Sequence, residues 1–177
     1  LKPGGELYFS DLVSDRRLPE HLMADPVLLG ECLAGAMYHE DFRRLMERLE
    51  CPDVRKMATS PVTIENADIE AKIGTAKFYS VTYRVFKLAN LEDRCEDYGQ
   101  VAYYRGTLAD YPYEFRLDDH HVFETGKPML VCGNTAAMLE DTRYREHFRL
   151  EGDRKTHFGL FDCGDTSTTG GNSASCC

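Results

Sequence analysis

The side chains of this sequence that are most able to do chemistry are its seven cysteines. Their number is odd, their spacing is irregular and no CxxC pair occurs, so neither a disulfide framework nor a zinc ribbon is indicated. Sparse cysteines are typical of reduced thiols, and we expect a cytoplasmic protein. Thiolates bind soft ions, so the residues together indicate a soft ligand. They are Cys32, Cys51, Cys95, Cys132, Cys163, Cys176 and Cys177.

Cys32 lies in the run "GECLAGAMYHED", residues 30–41, between small and apolar neighbours. One interpretation is that a buried helix needs a small hydrophobic side chain at this point. The other is that the thiol holds a thiophilic ligand. The run by itself leaves both open.

Other cysteines offer weaker signals. Cys132, in "VCGN", is predicted at a strand end before a helix, where the helix dipole lowers the pKa of a thiol, so it is a candidate reactive group. Cys95 is preceded by an arginine and followed by two acidic residues, and these charges leave its reactivity open. Cys176–Cys177 could chelate a soft ion or have no role.

The stretch "DDHH", residues 118–121, carries four side chains that can bind metal ions. On a strand, alternate side chains share a face, so either Asp119 with His121 or Asp118 with His120 could bind one ion. Such a pair needs a further ligand, for which Cys132 or a distant histidine, His157, is available. The alternative is a solvated strand edge.

Composition limits the classes of protein to which the chain can belong. Its 177 residues suit one ordinary domain or two small ones. A formal net charge of -9 argues against a nucleic-acid-binding protein. No apolar run approaches the roughly 18 residues of a transmembrane helix, so no membrane association is expected.

The first half of the chain must position Cys32. It predicts a strand over Glu6–Asp11 and a buried helix that Asp25 caps and that runs from Pro26 through Met37. An amphipathic helix around 42–49, a strand over 54–64, a helix over Ala67–Ile73 and the clearest strand, 76–88, follow. This alternation indicates an α/β arrangement.

The second half begins at a charged connection, 90–99, which we take as a domain boundary. Strands are predicted at 100–108, 113–123 and 127–133, then a helix over Thr135–His147 and a last strand at 155–161. The Gly/Ser/Thr-rich segment from Cys163 predicts a disordered tail. The expected organisation is therefore 1–89, a small α+β domain over 90–162, and a tail over 163–177.

Several segments resemble the C-terminal half of arsenite methyltransferases that use S-adenosylmethionine. They are "LKPGGELYFSD", "DPVLLGECLAGAMYHEDF", "KFYSVTYRVFKL", "CEDYGQVAYYRGT" and "LDDHHVFETGKPMLVCGNTAAMLEDTR". The resemblance implies that residues 1–89 are the last part of a class I, Rossmann-like methyltransferase sheet, including strands at Leu7–Asp11, Val54–Met57 and Phe78–Phe86. Because Leu1 opens directly onto a turn and a strand, we expect the chain to be a C-terminal fragment, inactive alone.

The resemblance also implies site residues. Cys32 matches the family's arsenic-binding cysteine in "GEC", whereas some relatives carry another cysteine in the stretch corresponding to Ala76–Thr82, where this sequence has none. Cys95 in "CEDYGQ" is shared with many relatives, so Cys32 and Cys95 are the expected catalytic residues and arsenic ligands, with Cys132 in reserve.

The implied cofactor is S-adenosylmethionine, bound mainly by a part of the protein that precedes this chain, and the implied co-substrate is a thiol reductant. The expected partners are small arsenicals, the expected role is arsenite methylation in detoxification, and the expected state is a monomer. Two alternatives stay open: a non-catalytic thiol module that binds arsenite or a soft metal, and a methyltransferase for another substrate in which Cys32 is only packed.

Overall fold

The structure is a computed structural model that describes residues 1–162 of the 177-residue chain, so the tail predicted over 163–177 lies outside the described residues. The chain forms a mixed α/β fold. Its larger sheet contains four strands: β1 (Glu6–Ser14), β2 (Met37–Tyr38), β3 (Val54–Pro61) and β4 (Phe78–Phe86). Their order is β2-β1-β4-β3, with β4 antiparallel to both neighbours. The three strands expected from the resemblance are thus confirmed in one sheet.

Four helices accompany this sheet: α1 (Glu20–Met23), α2 (Pro26–Gly30), α3 (His39–Arg48) and α4 (Ala67–Ile73). The predicted cap of α2 is confirmed, because the Asp25 carboxylate accepts hydrogen bonds from the backbone N–H groups of residues 27 and 28. Asn66 caps α4 in the same way, and Gly74 ends it at a φ of 62°.

The predicted helix over Pro26–Met37 is wrong in its length, because α2 ends at Gly30. The Cys32 N–H donates to the Leu29 carbonyl and the Leu33 N–H to the Leu28 carbonyl, and Cys32 has a left-handed φ of 61°. This is the Schellman ending of a helix, in which Leu28 and Leu33 pack together. The chain then turns into β2, so Cys32 lies in a turn instead of a helix.

The second half contains a three-stranded antiparallel sheet, a hairpin, a short strand pair, one helix and a 3-10 turn. These are β6 (Gln100–Tyr104), β9 (Pro128–Val131) and β10 (Phe148–Glu151); β7 (Glu114–Arg116) and β8 (Val122–Glu124); β5 (Glu96–Asp97) and β11 (Gly159–Leu160); α5 (Gly133–Glu140); and Arg145–His147.

Two predictions for this half are corrected. The strand predicted over 113–123 is a hairpin, because "DDHH" forms the turn between β7 and β8. The helix predicted over Thr135–His147 ends at Glu140, and Cys132 occupies its N-cap position.

The two halves differ in their cores. One continuous cluster fills the second half, and Phe86 at the end of β4 belongs to it, so the large sheet and the second half share packing. The first half has three smaller clusters, of which one joins Leu28 and Leu33 to Phe78 at the start of β4. The boundary at residue 90 stays a prediction. Within residues 1–162 no helix is both long and apolar enough to cross a membrane.

Candidate functional site

Cys32 lies on the surface at the end of the large sheet where β1 finishes and β4 begins. Its side chain is exposed, while Leu28 beneath it is 0% exposed and Leu33 is 3% exposed. Ser14, the last residue of β1, holds the same segment through a hydrogen bond from its hydroxyl to the Ala36 carbonyl. The buried-helix interpretation of Cys32 is therefore wrong: the neighbours are buried, and the thiol points away from the core because the turn reverses the chain there.

Cys132 is fully buried at the N-terminus of α5. Its sulfur accepts a hydrogen bond from the Thr135 N–H at 3.4 Å and lies 3.9 Å from Nη2 of Arg55. A hydrogen bond with Cys95 and burial raise the pKa of the Cys132 thiol, and the Arg55 charge only partly opposes them. The predicted lowering of this pKa by the helix dipole is thus wrong, because the second thiol and desolvation outweigh it.

The Cys95 segment wraps around the same helix end. Asn134 in the first turn of α5 accepts a hydrogen bond from the Glu92 N–H and donates one to the Glu92 carbonyl, each at 2.8 Å. The Tyr98 ring lies so close to Gly133 that a Cβ there would come within 2.8 Å of it. Contacts on both sides of Cys95 therefore hold it, buried, beside Cys132.

Arg55 on β3 is the centre of a buried charged cluster that the sequence did not predict. Its guanidinium forms two hydrogen bonds with the Asp53 carboxylate, at 2.6 and 2.7 Å, and one with Asp118 at 2.9 Å. Burial would lower the pKa of Arg55, but the Asp53 charge and hydrogen bonds raise it well above its usual value. The only sign of this cluster in the sequence was the alternation of Asp53 and Arg55 at the start of a strand, and this pattern is more typical of an exposed strand.

The "DDHH" segment contributes to this cluster in an unexpected way. Because the segment is a turn, Asp118 pairs with His121, whose Nδ1 lies 2.8 Å from Oδ1 of the carboxylate, instead of with His120. Asp119 and His120 are partly exposed. The two ligand pairs predicted from strand geometry are therefore wrong. Residues 1–162 contain no group of three or more His, Cys, Asp or Glu side chains placed to hold a metal ion.

The thiols expected to act together are found at opposite ends of β4. The Cys32 turn packs near Phe78 at the start of β4. Arg55, which contacts Cys132, pairs with Arg84 on the same strand. Arg84 lies six residues after Phe78, which corresponds to a distance of about 20 Å along β4. The structure brings Cys95 together with the reserve residue Cys132, and it does not bring Cys32 to either. Cys51 is buried and donates to the Leu49 carbonyl.

Comparisons with known proteins agree on one family. The "Arsenite methyltransferase C-terminal domain" family matches residues 97–173. An arsenite methyltransferase of Aquipseudomonas alcaligenes is 52% identical over 165 residues, which are 93% of this chain and 48% of that protein. The arsenite methyltransferase of Homo sapiens is 34% identical over 85% of this chain and 39% of its own length.

A solved structure shows the same relationship. The crystal structure of an arsenic(III) S-adenosylmethionine methyltransferase from Chlamydomonas reinhardtii superposes with a TM-score of 0.86 at 50% identity, covering 92% of this chain and 54% of that one. The chain thus spans about half the length of the relatives that it matches. From these similarities and the shared fold it follows that the chain corresponds to the C-terminal portion of arsenite methyltransferases.

Proposed function

We propose that this chain is the arsenic-holding portion of an enzyme that transfers methyl groups from S-adenosylmethionine to trivalent arsenic, with Cys32 as the protein ligand of the arsenic. The observation that carries the proposal is the exposed Cys32 thiol, which a Schellman turn over buried leucines fixes at one end of the sheet. The names of the relatives support the reaction, and the shared "GEC" segment supports the residue.

The edge of the large sheet fits a larger, Rossmann-like sheet. Strand β1 pairs with β4 along its whole length on one side, but on its other side only Val13 and Ser14 pair, with β2. Within the described residues, Glu6–Leu12 therefore offers a free edge to further strands. Gly4 and Gly5 precede β1 instead of following a strand, so they do not form a loop that cradles a nucleotide. We accordingly assign most of the S-adenosylmethionine site to protein outside this chain.

The chemistry needs a soft ligand and accurate positioning. When bound, S-adenosylmethionine supplies an electrophilic methyl group on a sulfonium ion. The Cys32 thiolate would hold trivalent arsenic so that the arsenic lone pair faces the methyl group in line, and no general base is required at the lone pair. The contribution of the Cys32 turn is orientation, which can supply several kcal/mol of the rate enhancement, about 7 or more in favourable cases.

The remaining ligands of this arsenic require a separate explanation. Cys95 is the second ligand predicted from the sequence, but in this role it would have to leave its buried position beside Cys132. We therefore propose that small thiols of the reductant class, or cysteines outside this chain, complete the coordination of the arsenic at Cys32. Soft trivalent arsenic accepts thiol ligands from either source.

The test is replacement of Cys32 by serine in the whole protein, with Cys51→Ser as the control for losing one thiol elsewhere. Transfer of labelled methyl groups from S-adenosylmethionine to arsenite is expected to disappear in the first variant and to persist in the second. Unchanged turnover in Cys32→Ser would exclude the ligand role. If the parent protein itself binds arsenite but gives no methylated product, the chain belongs to a binding module instead of an enzyme.

A further inference from the structure

Cys95 and Cys132 form a buried pair of thiols that the reaction proposed for Cys32 does not use. The two sulfur groups are hydrogen bonded to each other, and each side chain is at most 7% exposed. Both are held independently of that contact, since Thr135 N–H binds the Cys132 sulfur and the Phe161 N–H binds the Cys95 carbonyl at 2.8 Å. Two buried thiols are therefore held side by side.

The surroundings select the kind of reaction that the pair can undergo. Disulfide exchange needs a thiolate, and burial together with the neighbouring thiol raises the pKa of Cys132 and so opposes its formation. A disulfide would also require the sulfurs to close to about 2.05 Å. Arg55 does not offer a free counter-charge, because Asp53 and Asp118 already surround its guanidinium. The pair therefore suits a neutral ligand that leaves no net charge behind.

We propose that Cys95 and Cys132 together bind one trivalent arsenic, taken up as arsenite, at a second site distinct from Cys32. Neutral As(OH)3 condenses with the two thiols. Two As–O bonds break, two As–S bonds form, and each thiol proton leaves with a hydroxide as water. The product is (RS)2As–OH, arsenic stays trivalent, and no oxidant or reductant is consumed. The choice of arsenite rests on the proposed function, whereas the chelation itself needs neither Cys32 nor methyl transfer.

Entry to the pair is controlled by the last described strand. Strand β11 pairs with β5, directly after Cys95, over only two residues. Hydrogen bonds from the Phe158 N–H to the Asp97 carbonyl and from the Phe161 N–H to the Cys95 carbonyl flank this pairing. Phe158 is 64% exposed, so the segment buries little apolar surface. Short, exposed pairings of this kind open at low free energy. Opening of β11 would admit arsenite without disturbing α5.

The experiment measures arsenic binding in the whole protein with arsenite alone as the probe. The parent carries Cys163→Ser, Cys176→Ser and Cys177→Ser, so that the last three thiols of the sequence do not compete. The reduced protein is incubated with arsenite, desalted without small thiols and analysed for arsenic per chain. Cys95→Ser and Cys132→Ser are each expected to lose one arsenic relative to the parent, whereas the matched change Cys51→Ser, at another buried thiol, loses none. Cysteines outside this chain are the same in every variant and cancel in the comparison.

A second measurement reports the ligand atoms of the bound arsenic directly. X-ray absorption of arsenic in the Cys32→Ser protein, compared with the same protein carrying Cys132→Ala in addition, is expected to show a species with two sulfur ligands and one oxygen that disappears in the second protein. Retention of all arsenic in folded Cys95→Ser or Cys132→Ser would overturn the proposal, and so would the absence of a two-sulfur species. Failure of methyl transfer in these experiments has no bearing on it, because S-adenosylmethionine is not added.

Discussion

Cys32 and Cys132 show how differently one fold can treat two similar thiols. Cys32 comes after "PVLLGE" and Cys132 after "PMLV", yet Cys32 is exposed in a left-handed turn after a helix and Cys132 is buried as the cap before one. The first is accessible to solvent, while a neighbouring thiol and burial raise the pKa of the second. The two thiols therefore differ in solvent exposure and in the groups around them, and long-range packing decides both.

The stability of the buried cluster beside Cys132 depends most strongly on Arg55. Replacing it with methionine leaves the Asp53 and Asp118 carboxylates buried without their cation, so we expect the free energy of unfolding to fall by about 3–5 kcal/mol. Urea unfolding measures this. The matched change Arg17→Met removes an exposed ion pair with Asp41 and should produce no measurable change. Equal effects of the two substitutions would mean that the cluster does not stabilise the fold.

Alkylation rates compare the two thiols directly. In the folded protein Cys32 should react with iodoacetamide at least about 100-fold faster than Cys132, because Cys132 is buried and the raised pKa of its thiol disfavours the thiolate that iodoacetamide alkylates. Peptide mass spectrometry over a time course gives both rates in one sample. Cys51, which is also buried, serves as the internal control and should react slowly too. Comparable rates for Cys32 and Cys132 would contradict the assignment of exposed and buried thiols.

The stability that Asp118 contributes should depend on pH. Burial alone would raise the pKa of its carboxyl group, but the hydrogen bond with His121 and the Arg55 charge outweigh burial and hold the pKa well below its usual value. A folded pKa below the unfolded one, about 3.9, gives stability that is complete above that pH and declines as the pH falls further. Asp118→Asn should therefore cost about 2 kcal/mol at neutral pH.

The same variant makes a second comparison possible. The difference in unfolding free energy between the parent and Asp118→Asn should shrink as the pH falls below about 4, because the unfolded parent then binds a proton at Asp118 that the folded state binds only at lower pH. Asp119→Asn, at the more exposed neighbouring position, should show no such narrowing. A difference that stays constant down to acid pH would show that the charge of Asp118 does not contribute.

Local patterns predicted the parts of the fold that local forces decide. The β-branched and aromatic run of β4 and the Asn66 cap of α4 are each specified by adjacent residues, and both are confirmed. The end of α2 was missed because the run after Gly30 remains apolar, and what stops the helix is the packing of Leu33 back onto Leu28. Sequence periodicity does not encode that contact.

The site was predictable only in part, for a similar reason. The resemblance in "GEC" pointed to Cys32, but neither its exposure nor its turn followed from the apolar neighbours. Arg55 was missed because its burial depends on Asp118, 63 residues away in the sequence. Cys95 and Cys132 likewise meet only through the wrapping of one segment around α5.

The smallest expected effect concerns the left-handed conformation of Cys32. At a φ of 61° a residue with a Cβ costs about 1 kcal/mol relative to glycine, the residue usually found at this position of a Schellman ending. Cys32→Gly should therefore be more stable than Cys32→Ala by about 1 kcal/mol in urea unfolding. At Cys51, which is buried and does not have a positive φ, glycine should instead be no better than alanine. If glycine does not exceed alanine at position 32, the turn is not strained. If it does, the sequence keeps a cysteine there at the expense of stability, as expected for a thiol retained for binding arsenic.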